Sequence, residues 1–270
     1  MKSIAHISDL HFGREDPDVA EGLIRDLYRQ APGLVVNSGD FTQRARRGQF
    51  KAASGYMKRL PHPQISIPGN HDIPLFDIAR RFFKPLNRFK QYITNDIFPR
   101  YVNDELTVIG LNTARSLTWK SGRISFAQIQ AMERLLLKLP SSYFKVVVTH
   151  HPFIPPPGQE ETGVDLVGRA ARALEVFERC DVDLLLAGHL HHGYTGDIRT
   201  FYPSSKRSII VAQAGTAISN RMRNEPNGYN FIRLEHERID IEVRRWNSKE
   251  FTEAGRMVFL LENGYWVPQK

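Results

Sequence analysis

Five short segments of this sequence present Asp, Asn or His side chains directly after an apolar run. They are Asp9-Leu10-His11, Gly39-Asp40, Gly69-Asn70-His71-Asp72, His150-His151-Pro152 and Gly188-His189-Leu190-His191. Apolar runs that stop at glycine or at polar residues are typical of strand ends that face a site. We therefore take the following seven residues as candidate metal ligands: Asp9, His11, Asp40, Asn70, His150, His189 and His191.

The chemistry of these seven side chains favours a pair of metal ions. One ion with four to six ligands cannot use two carboxylates, four imidazoles and a carboxamide, whereas two ions can if one carboxylate bridges them. Nitrogen and oxygen ligands without thiolate suit zinc, manganese or iron. Two divalent or mixed-valence ions outweigh the charge of two carboxylates, and the surplus can stabilise a bridging hydroxide and an incoming phosphate. The ligand set therefore predicts phosphoester hydrolysis.

The elements that would carry these side chains alternate between strands and helices. Residues 3–8 read as a buried strand, residues 17–30 as a helix with one apolar face, and residues 34–38 as a second strand. This alternation predicts parallel pairing, which places Asp9, His11 and Asp40 at one edge of a sheet. Because Asp9 and His11 are two positions apart, we expect an extended backbone to point both side chains to the same side.

The remainder of the chain continues this pattern and then changes. We predict an amphipathic helical cap over 79–93, a helix opened by a capping box of Ser125 and Gln128 with Phe126 on its buried stripe, and a helix over about 166–179. From Ser208 onward the segments 209–211, 228–234, 239–246 and 257–261 read as successive antiparallel strands. We expect residues 1–270 to form a single domain, with the ligand segments within 4–192 and a mainly β part over 208–267.

Composition bounds the possible partners. The chain has 270 residues, a formal net charge of +8 and a single cysteine, Cys180, so that no intrachain disulfide can form. The positive charge favours anionic partners, whether a phosphate substrate, nucleic acid or a membrane surface, without choosing among them. No stretch is apolar enough for a signal peptide or an integral membrane segment, and we expect a cytoplasmic protein.

The five segments, in this order, resemble the calcineurin-like metallophosphoesterase superfamily over residues 4–192. The resemblance implies a four-layer α/β/β/α sandwich with two mixed β-sheets. It also implies that Asp9, His11 and His191 hold one metal ion, that Asn70, His150 and His189 hold the other, and that Asp40 bridges them. His71 would lie beside the leaving group, and Asp72 would orient His71 or a neighbouring loop. His151 and His192 would lie behind the ligands or in the pocket, and Arg115 receives no role.

Within that superfamily, the segments Ser8–Gly13 and Gly39–Gln43 are most similar to bacterial class III cyclic-nucleotide phosphodiesterases. This implies hydrolysis of a small anionic phosphodiester, with nucleic acid a less favoured partner. Four alternatives remain open: a nuclease, a sugar-nucleotide pyrophosphohydrolase such as UDP-diacylglucosamine pyrophosphohydrolase, a phosphomonoesterase and a metal-free scaffold. The nuclease would usually carry an extra region, the pyrophosphohydrolase an exposed apolar lid, and the scaffold fewer ligands.

Overall fold

The computed structural model of the chain describes residues 2–159, 163–221 and 225–269. Its strands are β1 (Lys2–Ile7), β2 (Leu34–Asn37), β3 (Gln64–Ser66), β4 (Arg100–Val102), β5 (Leu106–Gly110), β6 (Phe144–Val148), β7 (Leu184–Ala187), β8 (Tyr194–Asp197), β9 (Ile210–Gln213), β10 (Gly228–Glu235), β11 (Arg238–Trp246), β12 (Phe251–Glu262) and β13 (Tyr265–Pro268). Its helices are α1 (Pro17–Gln30), α2 (Arg47–Met57), α3 (Ile78–Phe83), α4 (Asn87–Tyr92), α5 (Phe126–Leu136) and α6 (Ala170–Arg179), with 3₁₀ turns at Asn70–Asp72 and Ile198–Thr200.

The strands form two mixed sheets. In the first sheet the order is β13-β12-β11-β10-β1-β2-β3, with β1, β2 and β3 parallel and β10 antiparallel to β1. In the second the order is β4-β5-β6-β7-β9-β8, with parallel pairing from β5 to β9 and antiparallel strands at both edges. Five of the parallel strands, β1, β2 and β3 in the first sheet and β6 and β7 in the second, end at the candidate ligand segments, so the topology itself gathers those segments.

Three apolar layers hold the sheets and helices together. Buried side chains of both sheets, such as Val36, Val146 and Ile239, fill the space between them. A second layer joins α1 and α2 to the outer face of the first sheet, and a third joins α5 and α6 to the outer face of the second. This arrangement confirms the predicted α/β/β/α sandwich. Within the described residues no helix is both long and apolar enough to cross a membrane.

A buried ionic cluster, formed by Asp26, Tyr229, Glu242 and Arg244, fastens α1 to the C-terminal strands. Arg244 Nε and the Tyr229 hydroxyl donate to Asp26 Oδ2 at 2.6 and 2.7 Å, and Arg244 Nη2 donates to Asp26 Oδ1 at 2.9 Å. Arg244 Nη1 donates to Glu242 as well. Burying charge is costly unless every group is paired, and here the Asp26 carboxylate has charged or hydroxyl donors on both oxygens.

The helices follow the sequence prediction where their caps are local. Helix α1 spans the predicted 17–30, with the Asp16 carboxylate accepting from the backbone N–H of Asp18 and Val19. The capping box of Ser125 and Gln128 is confirmed at the start of α5. Phe126, however, is 56% exposed and lies outside the core. Its ring packs against the Arg169 guanidinium, whose Cζ is 3.9 Å from the ring centroid. The prediction that it is buried was wrong.

Three other predictions need correction. The helical cap over 79–93 is two short helices, α3 and α4, separated around Pro85, which cannot continue a helix. The helix predicted from 166 begins only at Ala170, because Arg169 has a left-handed backbone, with φ of 68°. The segment 209–211 does not join the antiparallel run. It belongs to β9, which pairs in parallel with β7 in the other sheet.

Candidate metal centre

The seven predicted ligands converge where parallel strands of both sheets end. Asp9 and His11 follow β1, Asp40 follows β2 and Asn70 follows β3, while His150 follows β6 and His189 and His191 follow β7. The predicted grouping of Asp9, His11 and Asp40 holds in the structure, since His11 Nε2 lies 3.4 Å from Asp9 Oδ1 and 3.7 Å from Asp40 Oδ2. The site is thus assembled from two sheets, each of which supplies one side of the cleft.

The backbone at these residues is not extended, contrary to our expectation for Asp9 and His11. The backbone is left-handed at five ligand positions: Asp9 (φ 55°), His11 (47°), Asp40 (57°), His189 (78°) and His191 (58°). Hydrogen bonds hold the first two loops together, because Asp9 N donates to Gly39 O at 3.0 Å and His11 N to Asp40 O at 2.9 Å. The side chains converge because the chain turns sharply after each strand.

Close approach of these loops depends on glycine at two points. A Cβ on Gly188 would lie 1.8 Å from Ser8 Oγ and 2.7 Å from Asp9 Oδ2. A Cβ on Gly69 would lie 2.1 Å from Asp40 Oδ1. Any side chain at either position would therefore push apart two ligand loops, which explains why glycine precedes the ligand in these segments.

One group of ligand atoms comprises Asp9 Oδ1, His11 Nε2 and His191 Nε2, with Asp40 Oδ2 at its side. His191 Nε2 lies 3.7 Å from Asp9 Oδ1. Asp9 Oδ1, His11 Nε2 and Asp40 Oδ2 are fully buried, and within the described part of the chain they have no hydrogen-bond partner. Buried polar atoms left without a partner are costly, so their convergence needs a physical explanation.

A second group comprises Asn70 Oδ1, His150 Nε2 and His189 Nδ1. Asn70 Oδ1 lies 3.1 Å from His150 Nε2 and 3.0 Å from His189 Nδ1. His150 Nε2 is also 3.4 Å from Asp40 Oδ1. The two oxygens of Asp40 therefore face different groups, so this carboxylate could be shared by two ions.

These separations suit metal ions. Ligand atoms about 2.1 Å from a tetrahedral ion lie about 3.4 Å from one another. The ligand atoms in both groups are 3.0 to 3.7 Å apart. Those of the first group are too far apart for direct hydrogen bonds, whereas those of the second group are at hydrogen-bonding distance, and both spacings allow the atoms to share an ion. The donor sets of both groups, with the unpartnered buried atoms of the first, thus fit two metal ions.

Several residues that hold the ligands were missed by sequence analysis. His150 Nδ1 lies 2.9 Å from Ser38 O, and His191 Nδ1 lies 2.7 Å from Thr216 Oγ1. Asp9 Oδ2 accepts from Ser8 Oγ at 2.7 Å and from the His189 backbone N–H at 2.9 Å. Partners of this kind fix the ring orientation of a ligating histidine. Ser8 and Ser38 adjoin ligand segments, but no pattern links Thr216 to His191.

Asp72 braces the loop that follows Asp40. Its Oδ2 accepts from the backbone N–H of Phe41 and Gly69 at 3.1 and 3.0 Å, and its Oδ1 accepts from the N–H and the hydroxyl of Thr42, both at 3.0 Å. Of the two roles that the resemblance left open, the geometry matches the orientation of a neighbouring loop. The loop carrying Asp40 is thereby tied to the turn that carries Asn70.

Burial and neighbouring charges set the protonation states of the candidate ligands. Burial opposes ionisation of Asp9 and Asp40, but the surrounding imidazoles hold the pKa of both carboxyls well below the ordinary value. Burial also opposes a charged His150, yet Asp40 raises the pKa of that imidazole to about 9. Burial lowers the pKa of His189 to about 3 and that of His191 to about 4. Ionised carboxylates and neutral imidazoles are the forms that bind metals, so Asp9, Asp40, His189 and His191 are in the binding form, whereas His150 must lose a proton when it binds.

His71 lies beside the ligand groups and faces a cavity of about 220 Å³. Its Nδ1 is 2.9 Å from Gln43 O, to which it donates, so Nε2 is the ring nitrogen that faces Arg221 Nη1 at 3.1 Å. Arg44 Nη1 lies 3.2 Å from His71 Nδ1, the nitrogen that faces Gln43 O. Polar and apolar side chains both line the cavity, among them Arg44, His71, Leu75, Trp119, Lys120 and Arg221.

Three residues near the site, His151, His192 and Arg115, contact neighbouring loops and lie outside the two ligand groups. The buried His151 lies 2.7 Å from Thr113 Oγ1 through Nδ1 and 2.7 Å from Lys120 O through Nε2, so it anchors the loop that borders the cavity. His192 Nδ1 faces Glu225 Oε1 at 3.1 Å, outside the ligand groups. Arg115 donates to backbone oxygens of its own loop and to Gln128 at the start of α5.

Residues 2–193 match the family model described as calcineurin-like phosphoesterase. The match covers most of the chain, and the chain belongs to this family. The two-sheet fold and the paired ligand groups agree with that membership.

Individual relatives are more distant or only partly covered. The chain is 35% identical over 80 residues to the glycerophosphodiester phosphodiesterase GpdQ of Enterobacter lignolyticus, a match to 26% of this chain and 29% of the relative's length. A dimetal phosphatase from Danio rerio superposes with a TM-score of 0.69 at 14% identity, covering 97% of this chain and 99% of that one. The purple acid phosphatase PPD1 of yellow lupin (Lupinus luteus) gives 0.68 at 12% identity, covering 95% and 53% respectively. These structural likenesses establish the fold.

Proposed function

We propose that the chain is a hydrolase that cleaves phosphodiester bonds with two metal ions. The observation that carries this proposal is the position of Asp40, whose two oxygens face separate groups of converging ligand atoms. The partial similarity to a glycerophosphodiester phosphodiesterase supports a diester as the substrate. The apolar layer between the sheets includes residues of β10 and β11, which supports our further proposal that residues 1–270 form one domain.

The proposed ligand roles follow the two groups. Asp9, His11 and His191 would hold one ion and Asn70, His150 and His189 the other, with Asp40 shared. Two bound ions would polarise the phosphoester and activate water for in-line attack. The chain's own part is to keep both carboxylates ionised, to orient the imidazoles and to leave one side of the site open to the cavity.

His71, Arg44 and Arg221 would act on the substrate. All three line the cavity next to the ligand groups, and ligand atoms of His11, Asp40 and His71 lie within 4.8 Å of one another. We propose that His71 lies beside the departing oxygen, which it protonates or stabilises. The two guanidinium groups would bind the remaining phosphate charge, because a planar guanidinium matches phosphate oxygens.

A comparison of two chromogenic esters tests the proposal. The manganese-loaded protein should show the higher kcat/KM for bis(p-nitrophenyl) phosphate, and a clear preference for p-nitrophenyl phosphate would instead indicate a phosphomonoesterase. A second panel of glycerophosphodiesters, cyclic nucleotides, sugar-nucleotide diphosphates and single-stranded DNA would then identify the substrate class. The partial similarity to GpdQ places glycerophosphodiesters first in that panel, ahead of the cyclic nucleotides favoured by the sequence resemblance.

A further inference from the structure

Two segments next to the cavity, residues 76–83 and 117–119, present a surface of exposed apolar side chains. We call this surface the apolar rim, and it consists of Phe76, Ile78, Phe82, Phe83, Leu117 and Trp119. Between 50% and 85% of each of these side chains is accessible to solvent. Trp119 lines the cavity as well, together with Leu75, which precedes Phe76. Exposed apolar residues gathered at one place mark an interaction surface, whereas scattered ones do not.

The rim comes from two segments that are fastened to each other and to the site. The Arg81 side chain is buried and donates from Nη1 to Pro74 O at 3.0 Å and from Nη2 to Thr118 O. Its guanidinium also lies 5.8 Å from the ring of Trp119. The backbone oxygen of Trp119 accepts from Asn70 Nδ2 at 3.2 Å. A partner bound on the rim would therefore contact the same loop that borders the candidate metal ligands.

The charge around the rim has one predominant sign. Residues 74–90 contain five basic residues and one acidic residue, and residues 115–123 contain three basic residues and none that is acidic. A symmetric contact with a second copy of the chain would bring these positive segments face to face, which is unfavourable. An anionic surface would instead be attracted to them, while the aromatic side chains insert at its boundary.

We infer that the apolar rim docks on anionic lipid surfaces and that the site takes phosphodiesters of amphiphilic lipids. This inference rests on the proposed function for its substrate, although the docking itself does not. A nucleic acid fits less well, because Ile78 and Leu117 have no ring on which a base could stack.

Vesicle binding tests the docking without any requirement for activity. The wild-type chain should sediment with phosphatidylglycerol-containing vesicles, and less with phosphatidylcholine vesicles. The double variant Phe76→Ser/Phe83→Ser should bind at least tenfold more weakly. The matched control is Phe126→Ser/Leu137→Ser, which removes exposed apolar side chains from α5 and its C-terminus and should bind like the wild type.

Three results of this experiment would overturn the docking. The first is absence of wild-type binding, and the second is an equal loss in the control variant. The third is binding to single-stranded DNA, or self-association in solution, that the double variant loses in place of vesicle binding. The third result would reassign the rim, to nucleic acid in the first case or to a second copy of the chain in the second.

Hydrolysis separates the substrate claim from the proposed function. The metal-loaded double variant should keep the wild-type rate on bis(p-nitrophenyl) phosphate, but lose at least tenfold on lysophosphatidylglycerol presented in vesicles. Hydrolysis of the chromogenic ester without hydrolysis of the lipid by the wild type would refute the lipid substrate alone. Hydrolysis of neither ester would refute the proposed function, whereas vesicle binding would still support the docking.

Discussion

Two buried groups of charged side chains in this protein are held in opposite ways. In the ionic cluster of Asp26, Tyr229, Glu242 and Arg244, both oxygens of the central carboxylate accept hydrogen bonds from donors of the chain. In the candidate metal centre, one oxygen each of Asp9 and Asp40 has no such donor among the residues described. Buried charge alone therefore does not mark a site. Buried charge that the chain itself leaves incomplete does.

The largest effect should come from removing the carboxylate shared by the two ligand groups. Asp40→Ala should lose bound metal and, with it, at least about 10³-fold in activity, because two-metal stabilisation supplies several kcal/mol of the barrier reduction. Metal analysis of the purified variant beside its kcat/KM checks this. Asp77→Ala removes a half-buried carboxylate that pairs with Arg80 and belongs to neither ligand group, and it should change neither. Two fully bound ions in the Asp40 variant would rule out the bridging role.

His71→Ala should reveal whether the cavity side of the site supplies a proton. Loss of a general acid costs about 10²–10⁴ in rate. A nitrophenolate leaves without protonation, so the variant should lose little on bis(p-nitrophenyl) phosphate and much more on an alkyl diester, with both metals retained. Equal losses on both substrates would assign His71 to charge stabilisation, and loss of metal would make it a ligand or a structural residue.

For the ionic cluster we expect the converse pattern, in which a substitution lowers the stability of the fold but leaves catalytic activity unchanged. Asp26→Asn removes one of the two buried carboxylates that pair with Arg244 and should reduce the free energy of unfolding by about 3–5 kcal/mol, with or without metal. The folded variant should keep its kcat. Glu21→Gln, at an exposed ion pair with Arg59, is the control and should cost at most about 1 kcal/mol. A similar loss in both variants would contradict the distinction.

This loss should also depend on pH. Burial opposes the charge on Asp26, but Arg244, Tyr229 and Arg29 lower the pKa of its carboxyl below the ordinary value. A lowered pKa in the folded state contributes stability above the unfolded-state pKa, and this contribution disappears as the pH falls through the folded-state value. The difference between wild type and Asp26→Asn in urea unfolding should therefore shrink on acidification. A constant difference down to pH 3 would show that packing, and not charge, holds the cluster.

The smallest effect should come from the support of a single ligand. Thr216→Val removes the hydroxyl that faces His191 Nδ1 and should weaken metal binding about 10- to 100-fold while leaving the fold intact. Thr107→Val is a matched control, because Thr107 Oγ1 is buried and has no hydrogen-bond partner in the described part of the chain. Metal titration followed by competition with a chelator measures both. Equal affinities in the two variants would remove Thr216 from the site.

The sequence predicted the parts of the site that lie next to strands. All seven candidate ligands converge because parallel strands end at a common edge, a property that follows from topology alone. The backbone at Asp9 and His11 was not predictable in the same way, because its left-handed turns depend on hydrogen bonds to the loop after β2. Arg221 and Thr216 were missed since they reach the site from beyond β9, and no periodicity connects them with the ligand segments.

The fold shows the same division between local and long-range information. The helix cap at Ser125 could be read from four residues, whereas β9 could not be assigned to its sheet from its own composition. Its parallel pairing with β7 depends on the path of the chain through β8. The buried ionic cluster was equally hidden, because Asp26 and Arg244 are separated by most of the sequence.

The left-handed backbone at five ligand positions has a consequence for how such a chain could change over generations. A left-handed backbone at a residue other than glycine costs about 1–2 kcal/mol. The conformation of the ligand loops therefore lowers the stability of the fold. A descendant freed from selection for catalysis would gain stability by accepting glycine at these positions. Glycine would relieve the backbone strain at these five positions, but it would remove the side chain that each of them contributes to the candidate metal centre.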